Sequence, residues 1–154
     1  MTGREFSAPQ IRPAQLADLV YLLPLLETLF AIEADFHFDA IRQQRGLELL
    51  LAKAEAIIAV AEVAGQIVGM ATGQLLISTA EGALSLVVED VVVSGQWRGQ
   101  GLGRQLLTFL QQWGVARGAS RMQLLADQGN LSGLAFYHRL GWQTSRMICL
   151  RQAV

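Results

Sequence analysis

Residues Glu89–Leu110 read EDVVVSGQWRGQGLGRQLLTFL: two acids, three valines, a glycine-rich turn that holds Arg98 and Arg104, and an apolar pattern at helical spacing. The valines mark a strand, and Leu102, Leu106 and Leu110 mark the buried side of a helix, so the glycines fall where a strand turns into a helix. A helix N-terminus has N–H groups without intrahelical partners and roughly half a positive charge, which favours an anion. Gly99, Gly101 and Gly103 let the backbone approach that anion closely and adopt unusual dihedrals, while Arg98 and Arg104 add charge. A phosphate or pyrophosphate fits such a turn. Two familiar phosphate loops do not fit it. A P-loop requires Lys and Ser/Thr after its second glycine, where Leu102 and Gly103 follow Gly101; a dinucleotide fingerprint counted from Gly99 requires glycine where Arg104 stands.

The segments on either side predict a mixed sheet. Gln10–Arg12 forms a short strand ended by Pro13, and apolar residues recur at helical spacing from Ala14 to Phe30, with Pro24 as a point of kinking or splitting. An irregular link, FAIEADFHFD, leads to a helix over Ala40–Lys53 whose apolar side is Ile41, Leu47, Leu50 and Leu51. Two β-branched runs flank Ala64-Gly65-Gln66 as a hairpin, and a third strand covers about Leu84–Val93. The helix after the glycine turn runs from Gly101 to Arg117, with Gly118 at its C-terminal cap. MQLLA follows as a strand, a helix capped by Asn130 or Ser132 runs to Arg139 with Gly141 as its stop, and RMICL reads as a last strand that buries Cys149. Helices, an antiparallel trio of strands and a closing strand-helix-strand-helix-strand run together predict an α/β fold, with helices flanking a mixed, mostly antiparallel sheet.

Arg98-x-x-Gly101-x-Gly103 directly after an apolar strand resembles the acyl-CoA loop of the GNAT superfamily of N-acetyltransferases, whose pattern is Gln/Arg-x-x-Gly-x-Gly/Ala. NLSGLAFYHRLGW, Asn130–Trp142, resembles the family's downstream segment: Asn130, Tyr137 seven positions later, then Gly141 and an aromatic residue. Gly133 departs from a frequent alanine. The two motifs keep the family's order and spacing over about half of the chain.

The resemblance implies acetyl-CoA as cosubstrate. The backbone of Val91, Val92 and Val93 would pair with the pantetheine arm, and Arg98, Gly99, Gln100, Gly101, Leu102, Gly103 and Arg104 would hold the pyrophosphate, with Asn130 counted among the cofactor contacts. Acetyl transfer to an amine needs a neutral nucleophile, a stabilised carbonyl oxygen and a proton for the departing sulfur. An alkyl amine of pKa near 10.4 is neutral in about one molecule in ~2,500 at pH 7, so a base helps. Glu89 is the favoured base, with Asp90 as an acceptor ligand or structural acid; a bulge would change how the two alternate. Tyr137 is the expected proton donor to the thiolate. Phe36 and His37, together with the acids of their link, suit an amine-acceptor pocket. A non-catalytic module that holds acetyl-CoA as a sensor is the alternative.

The remaining bounds exclude other classes. At 154 residues the chain is read as a single domain able to bury about two thirds of its unfolded surface. Net charge of -1 and a pI near 6.1 lack the basic excess of a nucleic-acid binder. One cysteine and two unassociated histidines give no metal pattern. No run reaches the ~18 apolar residues of a membrane span and the N-terminus shows no secretory signal, so a cytoplasmic protein is expected. The acceptor is expected to be a small-molecule or peptide amine. A hydrophobic content of 52%, with the habits of the resembling family, leads to the expectation of a homodimer.

Overall fold

The computed structural model describes residues 7–154, which divide into two compact units, one ending at Leu124 and the other spanning Leu125–Val154. The first carries strands β1 (Gln10–Pro13), β2 (Ala56–Val63), β3 (Gln66–Ser78), β4 (Ala83–Val93) and β5 (Ala119–Leu124), and helices α1 (Leu19–Phe30), α2 (Ala40–Leu51) and α3 (Leu102–Val115). The strands form one sheet in the order β1-β2-β3-β4-β5, antiparallel throughout except for the β4–β5 pair. This is the expected mixed, mostly antiparallel sheet flanked by helices.

Both faces of the sheet are covered, which explains why β2 and β3 read as continuous apolar runs rather than alternating ones. Ile58, Val60, Met70 and Val92 point to one side, into a core built with Leu22, Leu26 and Leu29 of α1 and Leu47 of α2. The other side receives α3, where Leu106 and Leu110 approach Gly69 and Gly73. A Cβ at Gly73 or at Gly114 of α3 would lie 3.0 Å from the Leu86 side chain, so these two glycines let helix and sheet close on Leu86. The β2–β3 turn is Ala64-Gly65, with φ of 50° and 78°; two left-handed residues give the twist that a two-residue hairpin requires.

Local departures have local causes. The stretch expected as one helix from Ala14 begins with a single 3-10 turn, Leu16–Asp18, before α1. Asp18 accepts from the Gln15 N–H and from Arg12 at 2.8 Å, and Arg12 also reaches Glu62 at 2.8 Å, which pins β1 to β2 and to that turn. Pro24 lies inside α1 without ending it. The carbonyl that loses its helical donor belongs to Val20, an exposed residue, so water can replace the missing bond. Of the expected apolar side of α2, Leu47 is buried but Ile41 is exposed.

In the second unit, α4 (Leu131–Arg139) is capped by the Asn130 side chain, which accepts from the Gly133 N–H at 3.0 Å. It ends in a Schellman motif: Trp142 N–H donates to Tyr137 O, Gly141 N–H donates to His138 O, and Gly141 has φ of 91°. Residues 143–154 form no strand, and Cys149 is exposed; the expectation of a last strand with a buried thiol is corrected on both counts. No helix among the described residues is long and apolar enough to cross a membrane.

Candidate functional site

β4 changes character at Val88. From Leu84 to Val88 it is paired on both sides, antiparallel to β3 and parallel to β5. The β5 ladder stops at Val88–Leu124, so Glu89–Val93 keep β3 on one side and have an open edge on the other. An open edge presents backbone N–H and C=O groups at the spacing an extended, amide-containing ligand needs. The side chain of Val92 is buried in the core, which leaves only its backbone to a ligand.

The same half of β4 carries a bulge. Thr72 pairs with Glu89 and Met70 with Val92, so Asp90 and Val91 together face the single residue Ala71. Asp90 takes up the extra length with φ of 53°, a left-handed conformation that side chains other than glycine seldom adopt. Its carboxylate accepts from the Thr72 hydroxyl at 3.3 Å, and Thr72 is itself buried. Burial, and then the neighbouring Glu89 charge, push Asp90 up to about 6 against the opposing pull of the Thr72 hydrogen bond. Glu89 is exposed. The two acids therefore do not simply alternate: the bulge tucks Asp90 against β3 and leaves Glu89 in solvent.

Beyond Val93 the chain makes a single 3-10 turn, Gly95–Trp97, and enters α3 through Arg98–Gly101. Gly99 and Gly101 have φ of 74° and 81°, and a Cβ on either would meet nothing within 4 Å. The need for glycine there is therefore backbone conformation, and the space beside both is open. No side chain caps α3 and its first turn holds no acid, so the N–H groups of Leu102, Gly103 and Arg104 point into that space without a partner from a capping side chain. The Leu102 side chain is in the core; only its backbone is available. Arg98 donates Nε to Val93 O at 3.0 Å, tying the turn to the end of β4, while Gln100 donates to Gln96 O and Arg104 is exposed. An anion at the helix start and an extended arm along β4 suit the same segment, which is the shape of a coenzyme A ligand.

Phe36 and His37 lie on the α1–α2 link, where Phe36 packs on Phe30 with ring centroids 5.5 Å apart and His37 is exposed. Asp39, one of the acids of that link, caps α2 by accepting from the Ile41 and Arg42 N–H groups. In the second unit, Tyr137 is half-buried and meets the rings of Phe136 and Trp142 at 5.2 and 5.9 Å. Asn130 spends its side-chain oxygen on the α4 cap, and a Cβ at Gly133 would fall 2.5 Å from Asn130 Nδ2, so a larger residue there would have to displace the capping side chain. Among the described residues no three His, Cys, Asp or Glu side chains come together as a metal site. Sequence reading missed Thr72, for which a lone threonine in an apolar run gives no signal.

The family model "Acetyltransferase (GNAT) family" matches residues 23–142. The L-methionine sulfoximine/L-methionine sulfone acetyltransferase of Pseudomonas aeruginosa is 29% identical over 140 residues, covering 88% of this chain and 80% of that protein. The uncharacterized N-acetyltransferase YobR of Bacillus subtilis is 32% identical over 69 residues, which cover 42% of this chain and 28% of YobR. Among solved structures, the aminoglycoside N-acetyltransferase AAC(6')-Iy in complex with CoA shares the fold with a TM-score of 0.82 at 19% identity, covering all of both chains.

Proposed function

The chain belongs to the GNAT acetyltransferase family, whose members draw on acetyl-CoA, and from that premise we propose that it moves the acetyl group to a primary amine by direct attack. The acceptor is a small molecule or a peptide end. The observation that carries this reading is the continuous strand-turn-helix segment of Glu89–Arg104, where an open strand edge, a bulged acid and an uncapped helix start follow one another. Acetyl-CoA supplies the acyl group as a thioester.

In this reading the backbone of Val91–Val93 holds the pantetheine arm, and the N–H groups at the start of α3, with Arg98 and Arg104 nearby, hold the pyrophosphate. Asp90 takes the base role in place of Glu89. A carboxylate poised near 6 is mostly ionised at pH 7 and is a stronger base than an ordinary one, which suits removal of a proton from an ammonium. The solvent-exposed Glu89 then draws the cationic acceptor by charge. Tyr137 returns a proton to the leaving thiolate, a role given to it by its spacing from Asn130. A phenol near pKa 10 and a thiol near 8.5 differ by about 1.5 units, or ~2 kcal/mol, which a close hydrogen bond can bridge.

Thiol release from acetyl-CoA across a panel of amines tests the reading, with Asp90→Asn and Tyr137→Phe beside the wild type. The name of the Pseudomonas relative places amino-acid α-amines first in the panel, followed by polyamines, aminoglycosides and peptide N-termini. Release that depends on one amine class, and falls at least ~100-fold in either variant, supports the proposal. Saturable acetyl-CoA binding without release from any amine would make the chain a sensor module instead.

A further inference from the structure

The C-terminal end of α4 closes into a loop of contacts around Tyr137. Its backbone part is the Schellman stop, in which Trp142 N–H donates to Tyr137 O and Gly141 N–H donates to His138 O. That motif needs no side chain and holds Trp142 by its N–H alone. This sequence adds a second tie, because His138 Nδ1 stands 3.0 Å from Trp142 O. A carbonyl oxygen only accepts, so Nδ1 carries the proton of this bond. Trp142 is thereby held at both of its peptide ends by two successive residues, its N–H by Tyr137 and its C=O by His138.

Fixing both ends of a residue fixes the direction of its Cα–Cβ bond. Held by its N–H alone, Trp142 can turn about its N–Cα bond and carry the indole with it; held by the carbonyl as well, it cannot. The indole meets Tyr137 edge-on, with ring centroids 5.9 Å apart and planes inclined by 65°. Phe136 meets the same phenol ring at 5.2 Å and 61°. Ring quadrupoles favour such edge contacts. A tyrosine on a helix has two common χ1 settings, and a change between them swings the phenol oxygen, at the far end of the ring, well away from its place. A fixed indole beside the ring selects one of them.

We propose that His138 is a positioning residue for the reaction: through Trp142 it holds the Tyr137 phenol in one orientation. The role asked of His138 is a hydrogen-bond donor at one point in space, without proton transfer. It rests on the reading of Tyr137 as proton donor to the leaving thiolate. A donor that must reach sulfur at hydrogen-bond length loses rate steeply when it is displaced.

His138→Leu removes the tie, and His138→Asn restores it, since the asparagine N–H stands where Nδ1–H does. His138 is exposed, so both variants are expected to keep the wild-type circular dichroism spectrum. With a responsive amine, kcat is expected to fall ~10-fold in His138→Leu with little change in the KM for acetyl-CoA, and to return near the wild-type value in His138→Asn. On a Tyr137→Phe background, His138→Leu is expected to add no further loss, because the group it positions is gone. The chain has two tyrosines, Tyr21 and Tyr137, so ring-labelled tyrosine gives resonances that Tyr21→Phe assigns. The nuclear Overhauser contact between the Tyr137 and Trp142 rings is expected in the wild type and in His138→Asn, and is expected to weaken or vanish in His138→Leu. An unchanged kcat or an unchanged ring contact in His138→Leu overturns the proposal, whatever happens to Tm. A rate in His138→Asn as low as in His138→Leu would make His138 a proton carrier, and an added loss on Tyr137→Phe would place its effect elsewhere; either overturns the proposal too. If no amine responds, or Tyr137→Phe keeps the wild-type kcat, the donor reading falls and the positioning role with it. Loss in Tyr137→Phe beside a wild-type rate in His138→Leu removes the positioning role alone.

Discussion

One strand, β4, contains two halves that follow different rules. Leu84–Val88 is bonded on both sides, and its Leu86 is packed against Gly73 and Gly114, where a Cβ would lie 3.0 Å from its side chain. Glu89–Val93 is bonded on one side, carries two acids, contains a left-handed non-glycine residue and runs into an uncapped helix start. The first half is paired along both of its edges, although the Ser85 hydroxyl is buried there without a hydrogen-bond partner; the second keeps one open backbone edge and a raised carboxyl held by Thr72. The boundary is set by where β5 stops at Leu124, so the length of the parallel strand determines how much of β4 keeps an open edge.

Substitutions in the two halves should therefore separate stability from activity. Leu86 is fully buried, so Leu86→Ala should cost about 2–5 kcal/mol, the usual range for deleting a core leucine side chain. The expected result is a large drop in Tm by calorimetry, with transfer by the remaining folded protein largely kept. Asp90→Asn should do the reverse. Its carboxyl is held above its ordinary value, so the fold favours the protonated form; the stability this brings is present below about pH 4 and is lost as pH rises towards 6. At pH 7 the native state carries an ionised Asp90 at a cost that a neutral amide removes. Asp90→Asn is therefore expected to lose at least ~100-fold in kcat while its Tm at pH 7 stays level or rises. A fall in Tm with unchanged kcat would place Asp90 with the structural half.

A smaller effect is expected where β4 hands over to α3. Gly101→Ala meets no steric obstacle, but it forces a side chain to φ of 81°, at a cost of roughly 1–2 kcal/mol. Because the strain falls on the residue that aims the first N–H groups of α3, the KM for acetyl-CoA should rise several-fold with little change in kcat. Titrations against acetyl-CoA at saturating amine would show it.

How much of this was readable beforehand depended on whether the information is local. The Ala64-Gly65 turn, the glycine entry to α3 and the Gly141 stop are each set by a few adjacent residues and stand where the sequence places them, and the α4 cap falls to Asn130, one of the two candidates with Ser132. The bulge at Asp90-Val91 depends on which residue of β3 lies opposite, a pairing about eighteen positions away that no single-strand pattern encodes. The same holds for the tail, where RMICL has the composition of a strand, yet a strand exists only when a neighbour completes its ladder. Ile41 shows the converse: helical spacing gave it a place on the apolar side of α2, and the core closes without it.

The finest test concerns Thr72, the residue least visible in the sequence. Its hydroxyl donates to Asp90 and lowers that carboxyl, opposing the burial and the Glu89 charge that raise it. Thr72→Val keeps the branched shape but removes the donor. A single hydrogen bond of this kind is worth roughly 1 kcal/mol, somewhat under one pKa unit. The acidic limb of the pH–rate profile, expected near pH 6 in the wild type, should therefore move upward, with the rate well above that limb little changed. A purely structural threonine would lower Tm and leave the limb where it was. Movement of the limb in Thr72→Val, together with its loss in Asp90→Asn, would tie the pH dependence to a carboxylate that β3 holds in place from across the sheet, and so would mark the open half of β4 as built by its neighbour strand as much as by its own sequence.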